Sequence, residues 1–75
     1  MKITGTSSYV MLDIDGKRIR AEGEMVLGGF VAEKSTMKQF EPPYESEPVT
    51  DAVRQHYIDE AVKKTQGSHM VLKFV

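Results

Sequence analysis

Asp15-Gly16 stands between two runs that alternate apolar and polar residues, and no other feature constrains the fold as strongly. From Ser8 to Asp15, Val10, Leu12 and Ile14 point one way, and Tyr9, Met11 and Asp13 the other. From Lys17 to Val26, Ile19, Ala21 and Met25 share one face, and Arg18, Arg20, Glu22 and Glu24 share the other. A period of two marks half-buried strands. Asp-Gly suits a tight hairpin loop, where both loop positions need positive φ. Such a loop sets the register. It pairs Ile14 with Lys17, Asp13 with Arg18, Leu12 with Ile19, Met11 with Arg20, Val10 with Ala21 and Tyr9 with Glu22. A slip of one residue would send Val10 and Leu12 to the wrong side, so turn chemistry and hydrophobic pattern agree. Asp13 opposite Arg18 is an expected opposite-charge pair on the polar face, worth about 0.2–1 kcal/mol.

The rest of the chain is punctuated by Gly and Pro. Gly28-Gly29 reads as a second tight turn or a bulge. A hairpin centred there would oppose Glu24 and Glu33, which leans toward a longer connection. A third strand is expected over roughly 30–34, with Met37–Phe40 extending it or forming a short edge strand. Pro42, Pro43 and Pro48 make Glu41–Val49 a loop. Thr50 is an expected N-cap, with Asp51 in the first turn where negative charge suits the helix dipole. The helix is expected from Asp51 to about Thr65. Its apolar stripe is Val53, Tyr57, Ile58, Ala61 and Val62. A strand over Met70–Val75 closes the chain.

The expected architecture is therefore α+β: an antiparallel sheet of four to five strands with a single helix packed on one face, in the order β-β-β-(β)-α-β. Residues 1–75 make one small domain, and a chain this short buries only about 60% of its unfolded surface. One helix covers one face of such a sheet. The face carrying Tyr9, Met11, Arg20 and Glu22 is left open, or is covered by another protein.

Composition excludes several function classes. The net charge of −1 supplies no field for nucleic acid and no polybasic patch for a membrane. No cysteine is present, so disulfides, thiolate zinc sites and cysteine nucleophiles are absent together. No apolar run approaches the roughly 18 residues that span a bilayer. Met1-Lys2-Ile3-Thr4-Gly5 is followed by no apolar stretch of a signal peptide, and the expected location is cytoplasmic.

No residue set carries a recognisable chemistry. Asp13-Ile14-Asp15-Gly16 matches the start of a calcium loop, but Lys17-Arg18-Ile19-Arg20 follows where further oxygen ligands belong. His56 and His69 are the only histidines, and neither has the spacing of a metal site. Ser68 beside His69 is adjacent in sequence, which does not place a nucleophile on a base. Gly28-Gly29 lacks the lysine of a phosphate loop. No cofactor or metal is expected. The Pro-rich acidic stretch from Phe40 to Pro48 is the most unusual segment. Stiffened Phe40 and Tyr44 among Glu41, Glu45 and Glu47 would dock on a basic partner with little ordering cost.

The strings Met1-Lys2-Ile3-Thr4-Gly5-Thr6-Ser7-Ser8-Tyr9, Arg20-Ala21-Glu22-Gly23-Glu24, Gly28-Gly29-Phe30, Pro42-Pro43-Tyr44-Glu45 and Ser68-His69-Met70 resemble small bacterial immunity proteins of polymorphic toxin systems. That resemblance implies a non-catalytic protein that neutralises a toxin by binding it. The charge of Glu41, Glu45 and Glu47 suggests mimicry of a nuclease toxin's acidic substrate. Candidate contact residues are Tyr9, Met11 and Arg20 on the open face, and Glu41, Tyr44, Glu45 and Glu47 in the loop. Two other readings stand beside it. One is a structural homodimer, or a small assembly subunit, pairing through the open face. The other is a small enzyme or ligand-binding domain using His56, His69 or Tyr44.

Overall fold

The computed structural model describes residues 1–75. Its strands are β1 (Lys2–Gly5), β2 (Tyr9–Ile14), β3 (Lys17–Val26), β4 (Gly29–Ala32) and β5 (Val71–Phe74). One helix, α1 (Asp51–Thr65), precedes β5, and a short 3-10 turn spans Lys34–Thr36. The strands lie in a single sheet in sequence order, β1 to β5. The α+β reading with a single helix is thereby met.

The first hairpin has the register that its turn demands, from Ile14 opposite Lys17 to Tyr9 opposite Glu22. Asp15 and Gly16 take φ of 52° and 86°. Asp13 does not pair with Arg18 through an ion pair. Its carboxylate accepts the Gly16 N–H at 2.9 Å and closes the turn instead. Local closure wins because it fixes a short side chain over three residues, whereas an exposed ion pair must immobilise a long arginine.

Three expectations are corrected. First, the sheet is mixed. β5 runs parallel to β4, with Phe30 beside Leu72, because α1 carries the chain back to the end where β4 began. Second, the turn sits at Leu27-Gly28, one residue earlier than Gly28-Gly29. Gly28 takes φ of 80°. Gly29 belongs to β4, where a Cβ would run into the Val71 carbonyl oxygen of β5. This register sets Glu24 against Val31 and keeps it from opposing Glu33. Third, Met37–Phe40 forms no strand, and Lys2–Gly5 supplies the fifth strand in its place.

β3 is the central strand and changes partners along its length. On one edge β2 pairs with it from Lys17 to Glu22; on the other β4 pairs from Gly23 to Val26. Irregular backbone completes the second edge beside the first hairpin. Glu33 N–H donates to Glu22 O at 2.8 Å, and Glu22 N–H donates to Thr36 Oγ1 at 2.9 Å. Phe40 bridges to Ile19, and Glu41 N–H donates to Arg18 O at 2.8 Å. The edge thus leaves no long row of open backbone groups, which would invite aggregation.

The core lies between the sheet and α1. Leu12, Ile19, Phe30 and Met37 are its largest fully buried side chains, joined from the helix by Tyr57, Ile58 and Ala61. No polar or charged residue is buried. Thr50 caps the helix, its hydroxyl accepting the Val53 N–H at 3.2 Å. Lys63 and Lys64 lie in the last turn, where positive charge suits the dipole.

Candidate functional site

Three prolines stop the chain between Phe40 and Thr50 from entering a ladder or a helix. It makes two successive turns instead, Tyr44 N–H donating to Glu41 O and Glu47 N–H to Tyr44 O, each at 3.0 Å. Gln39 bridges to Pro48, so the tract closes on itself.

Two cations hold this tract to the rest of the fold. Alternation puts Lys17 on the core side of β3, at the end of the sheet. Its ammonium lies 2.8 Å from the Glu47 carboxylate, 5.3 Å from the centre of the Tyr44 ring and 5.9 Å from that of Phe40. The hydrogen bond to Glu47 raises the Lys17 pKa above its ordinary value. At the tract's other end, Arg54 Nε donates to Met37 O at 3.0 Å and Nη2 to Val49 O at 3.4 Å. Nη1 donates to Asp51 at 2.7 Å. One guanidinium thus ties down the carbonyls on both sides of the tract.

The helix joins the same cluster. Tyr57 packs edge-on against Phe40, with ring centres 6.0 Å apart, and its hydroxyl donates to Lys17 O at 2.8 Å. Burial raises the Tyr57 pKa, and the charges of Asp13, Asp15 and Glu47 raise it further. This end of the molecule is therefore rich in carboxylates around an aromatic cluster. Lys17 is matched by Glu47, while Glu41 and Glu45 enter no ion pair.

The candidate residues fall into two groups that the fold does not bring together as one site. Glu41, Tyr44, Glu45 and Glu47 lie on the clasped tract. Tyr9, Met11 and Arg20 lie on the sheet face away from the helix, where Thr4, Met11 and Arg20 form a row across three strands. Much of that face is spent on itself. The Arg20 guanidinium sits 5.4 Å from the Tyr9 ring centre and 4.0 Å from Glu22, and Tyr9 and Met11 are half-buried.

Lys17 and Arg54 were not among the expected site residues, although a signal for each exists. The hairpin register already places Lys17 opposite Ile14 on the core face. Arg54 is four residues before Ile58, on the helical stripe that faces the core.

His56 is exposed and edge-on to Tyr57, with ring centres 6.3 Å apart, and His69 is exposed in the connection before β5. The Ser68 hydroxyl lies 2.8 Å from both Thr65 O and Met70 O, with one proton to give to either, and so serves its own turn. The five main surface clefts are lined by residues other than Tyr44, His56 and His69. No group of three His, Asp or Glu side chains is placed to hold a metal. No helix is long and apolar enough to cross a membrane.

A family model described as immunity protein 74 matches residues 2–75. The chain belongs to this immunity-protein family. No curated protein and no solved structure matches it. The family match spans all five strands, α1 and the clasped tract, so the resemblance seen in the sequence extends to the whole fold.

Proposed function

We propose that this chain neutralises a protein toxin by binding it, without catalysis, and that the clasped acidic tract is the principal contact surface. The family match over residues 2–75 carries the functional reading. The choice of surface is supported by the clasp. A loop held at both ends presents its side chains with little further ordering cost on binding. Glu41 and Glu45 are left for a basic partner surface, and half-buried Tyr44 offers an aromatic anchor beside them. The open sheet face offers less, because Arg20 is already engaged by Tyr9 and Glu22.

The test is calorimetric titration of the full chain with each toxin domain found among the products of its neighbouring genes, together with growth rescue of cells expressing that toxin. Glu41→Lys with Glu45→Lys is expected to weaken binding at least tenfold and to abolish rescue. Tyr9→Ala with Arg20→Ala is expected to change either by less than about threefold. Absence of any complex between the wild-type chain and the toxin would defeat the functional reading. Loss of binding only in the sheet-face variant would move the contact to that face.

A further inference from the structure

The charged residues are segregated along the strands. Residues 3–12, 25–32 and 65–72 contain no Asp, Glu, Lys or Arg, although 28% of the chain is charged. These three segments form the β1–β2 turn, the β3–β4 turn and the α1–β5 connection. The topology brings them to one pole, opposite the Asp15-Gly16 turn and the clasped tract. Ile3, Val10, Met25, Met70 and Leu72 line a single groove of about 310 Å³ there. Leu27 stands at the tip of the β3–β4 turn, 104% exposed. Met25, Val26 and Met70 are also exposed.

Isolated exposed apolar residues are ordinary, but a charge-free pole with an exposed leucine and two methionines is not. Interface centres are depleted of charge and enriched in Met. We propose that this pole binds a second copy of the same chain, with Leu27 of each copy entering the groove of the other.

Charge selects this occupant. Docking onto an uncharged pole leaves any charge on the partner desolvated and unpaired. A second copy offers an equally uncharged pole, together with both a protruding leucine and a groove to receive one. Such self-complementarity is what a two-fold interface requires. Glu24 and Lys73, on either side of Val31, and Lys63 and Lys64 at the helix end would form a polar rim. Pairing at this pole also keeps the two acidic tracts apart. β3 separates the poles by up to about 30 Å at roughly 3.3 Å per residue, well beyond a Debye length of about 8 Å.

Sedimentation equilibrium of the full chain, from micromolar to millimolar, tests this. The wild type is expected to reach twice its 8.4 kDa mass. Leu27→Asp and Met70→Glu are expected to weaken association at least tenfold, while Glu45→Lys at the opposite pole leaves it unchanged. Leu27 is exposed in a turn, so Leu27→Asp should keep the wild-type circular dichroism spectrum and melting temperature. A wild type that stays monomeric at millimolar concentration overturns the proposal, as does a Leu27→Asp chain that dimerises like wild type. A monomeric wild type whose toxin binding is lost in Leu27→Asp also overturns it and assigns the pole to the toxin.

Discussion

The Tyr57 hydroxyl donates to the Lys17 carbonyl at 2.8 Å, joining the middle of α1 to the first residue after the hairpin turn. The same lysine reaches forward with its ammonium to Glu47. Helix, hairpin and Pro-rich tract therefore meet around one residue. Both titratable partners have raised pKa values: Tyr57 through burial and then the nearby carboxylates, Lys17 through its bond to Glu47. A raised folded-state pKa means that the folded chain keeps its proton when the unfolded chain has lost it. Each contribution is thus complete below the ordinary values of 10.0 and 10.5, and is lost as pH rises through the folded values. Urea titrations should show stability falling above pH 10.0. Tyr57→Phe and Lys17→Met should each make that fall shallower. At neutral pH, Tyr57→Phe should also cost about 0.5–1.5 kcal/mol for its lost hydrogen bond. Alkaline slopes equal to wild type in both variants would show that these contacts do not form.

Arg54 is expected to matter more than its place on a helix surface suggests. Arg54→Met keeps the aliphatic stem and removes the donors to Met37 O and Val49 O. Bonds from a charged donor contribute about 1.5–3 kcal/mol. A loss in that range is expected, with faster amide exchange across residues 38–49. Asp51→Asn should be nearly neutral, because Asp51 is fully exposed. Equal effects of the two variants would assign Arg54 to a surface ion pair alone.

Gly23 lies where β3 passes from β2 to β4, and a Cβ there would run into the Val31 carbonyl oxygen. The Ala32 Cα at 2.8 Å and the buried Phe30 ring at 2.9 Å, both of β4, leave little room to yield. Gly23→Ala should destabilise by at least about 1–3 kcal/mol, in the manner of an overpacked core. Glu24→Ala next to it, exposed on the outer face, should change stability by less than about 0.5 kcal/mol. Thermal melts of the two variants decide the matter.

Binding through Glu41 and Glu45 to a basic toxin surface should depend on salt. Surface carboxylates steer encounter, and screening removes that benefit. Raising ionic strength should slow association in stopped-flow mixing while changing dissociation less. In Glu41→Lys with Glu45→Lys the dependence should reverse, the remaining association rising with ionic strength as salt screens the new repulsion. A wild-type association rate insensitive to salt would separate the contact from these carboxylates.

The parts of the fold that are local in origin were legible before the structure. A positive-φ turn and a period of two set the register of six residue pairs between β2 and β3. A capping threonine and an apolar stripe set the bounds of α1. In each, the deciding interactions lie within a few residues of one another. The candidate carboxylates and aromatics were legible too, as residue types in a stiffened tract. What they do depends on distant partners. Lys17 takes Glu47 out of the free set, and Arg54 gathers two carbonyls that nothing nearby in the sequence marks.

Non-local pairing decided the remainder. The parallel placement of β5 follows from the path of α1 back across the sheet, and it gives Gly29 its purpose as a residue of close approach. The turn moved to Leu27-Gly28 because the register had to satisfy β5 as well as β3. Charge segregation has the same origin: the uncharged stretches are plain in the sequence, but only their convergence makes a pole. By itself the sequence determined one hairpin, one helix and the side of each that faces the core, since turn geometry and periodicity act over short range. Tertiary structure decided which surfaces those elements leave for a partner, since a surface is made by segments far apart in the chain.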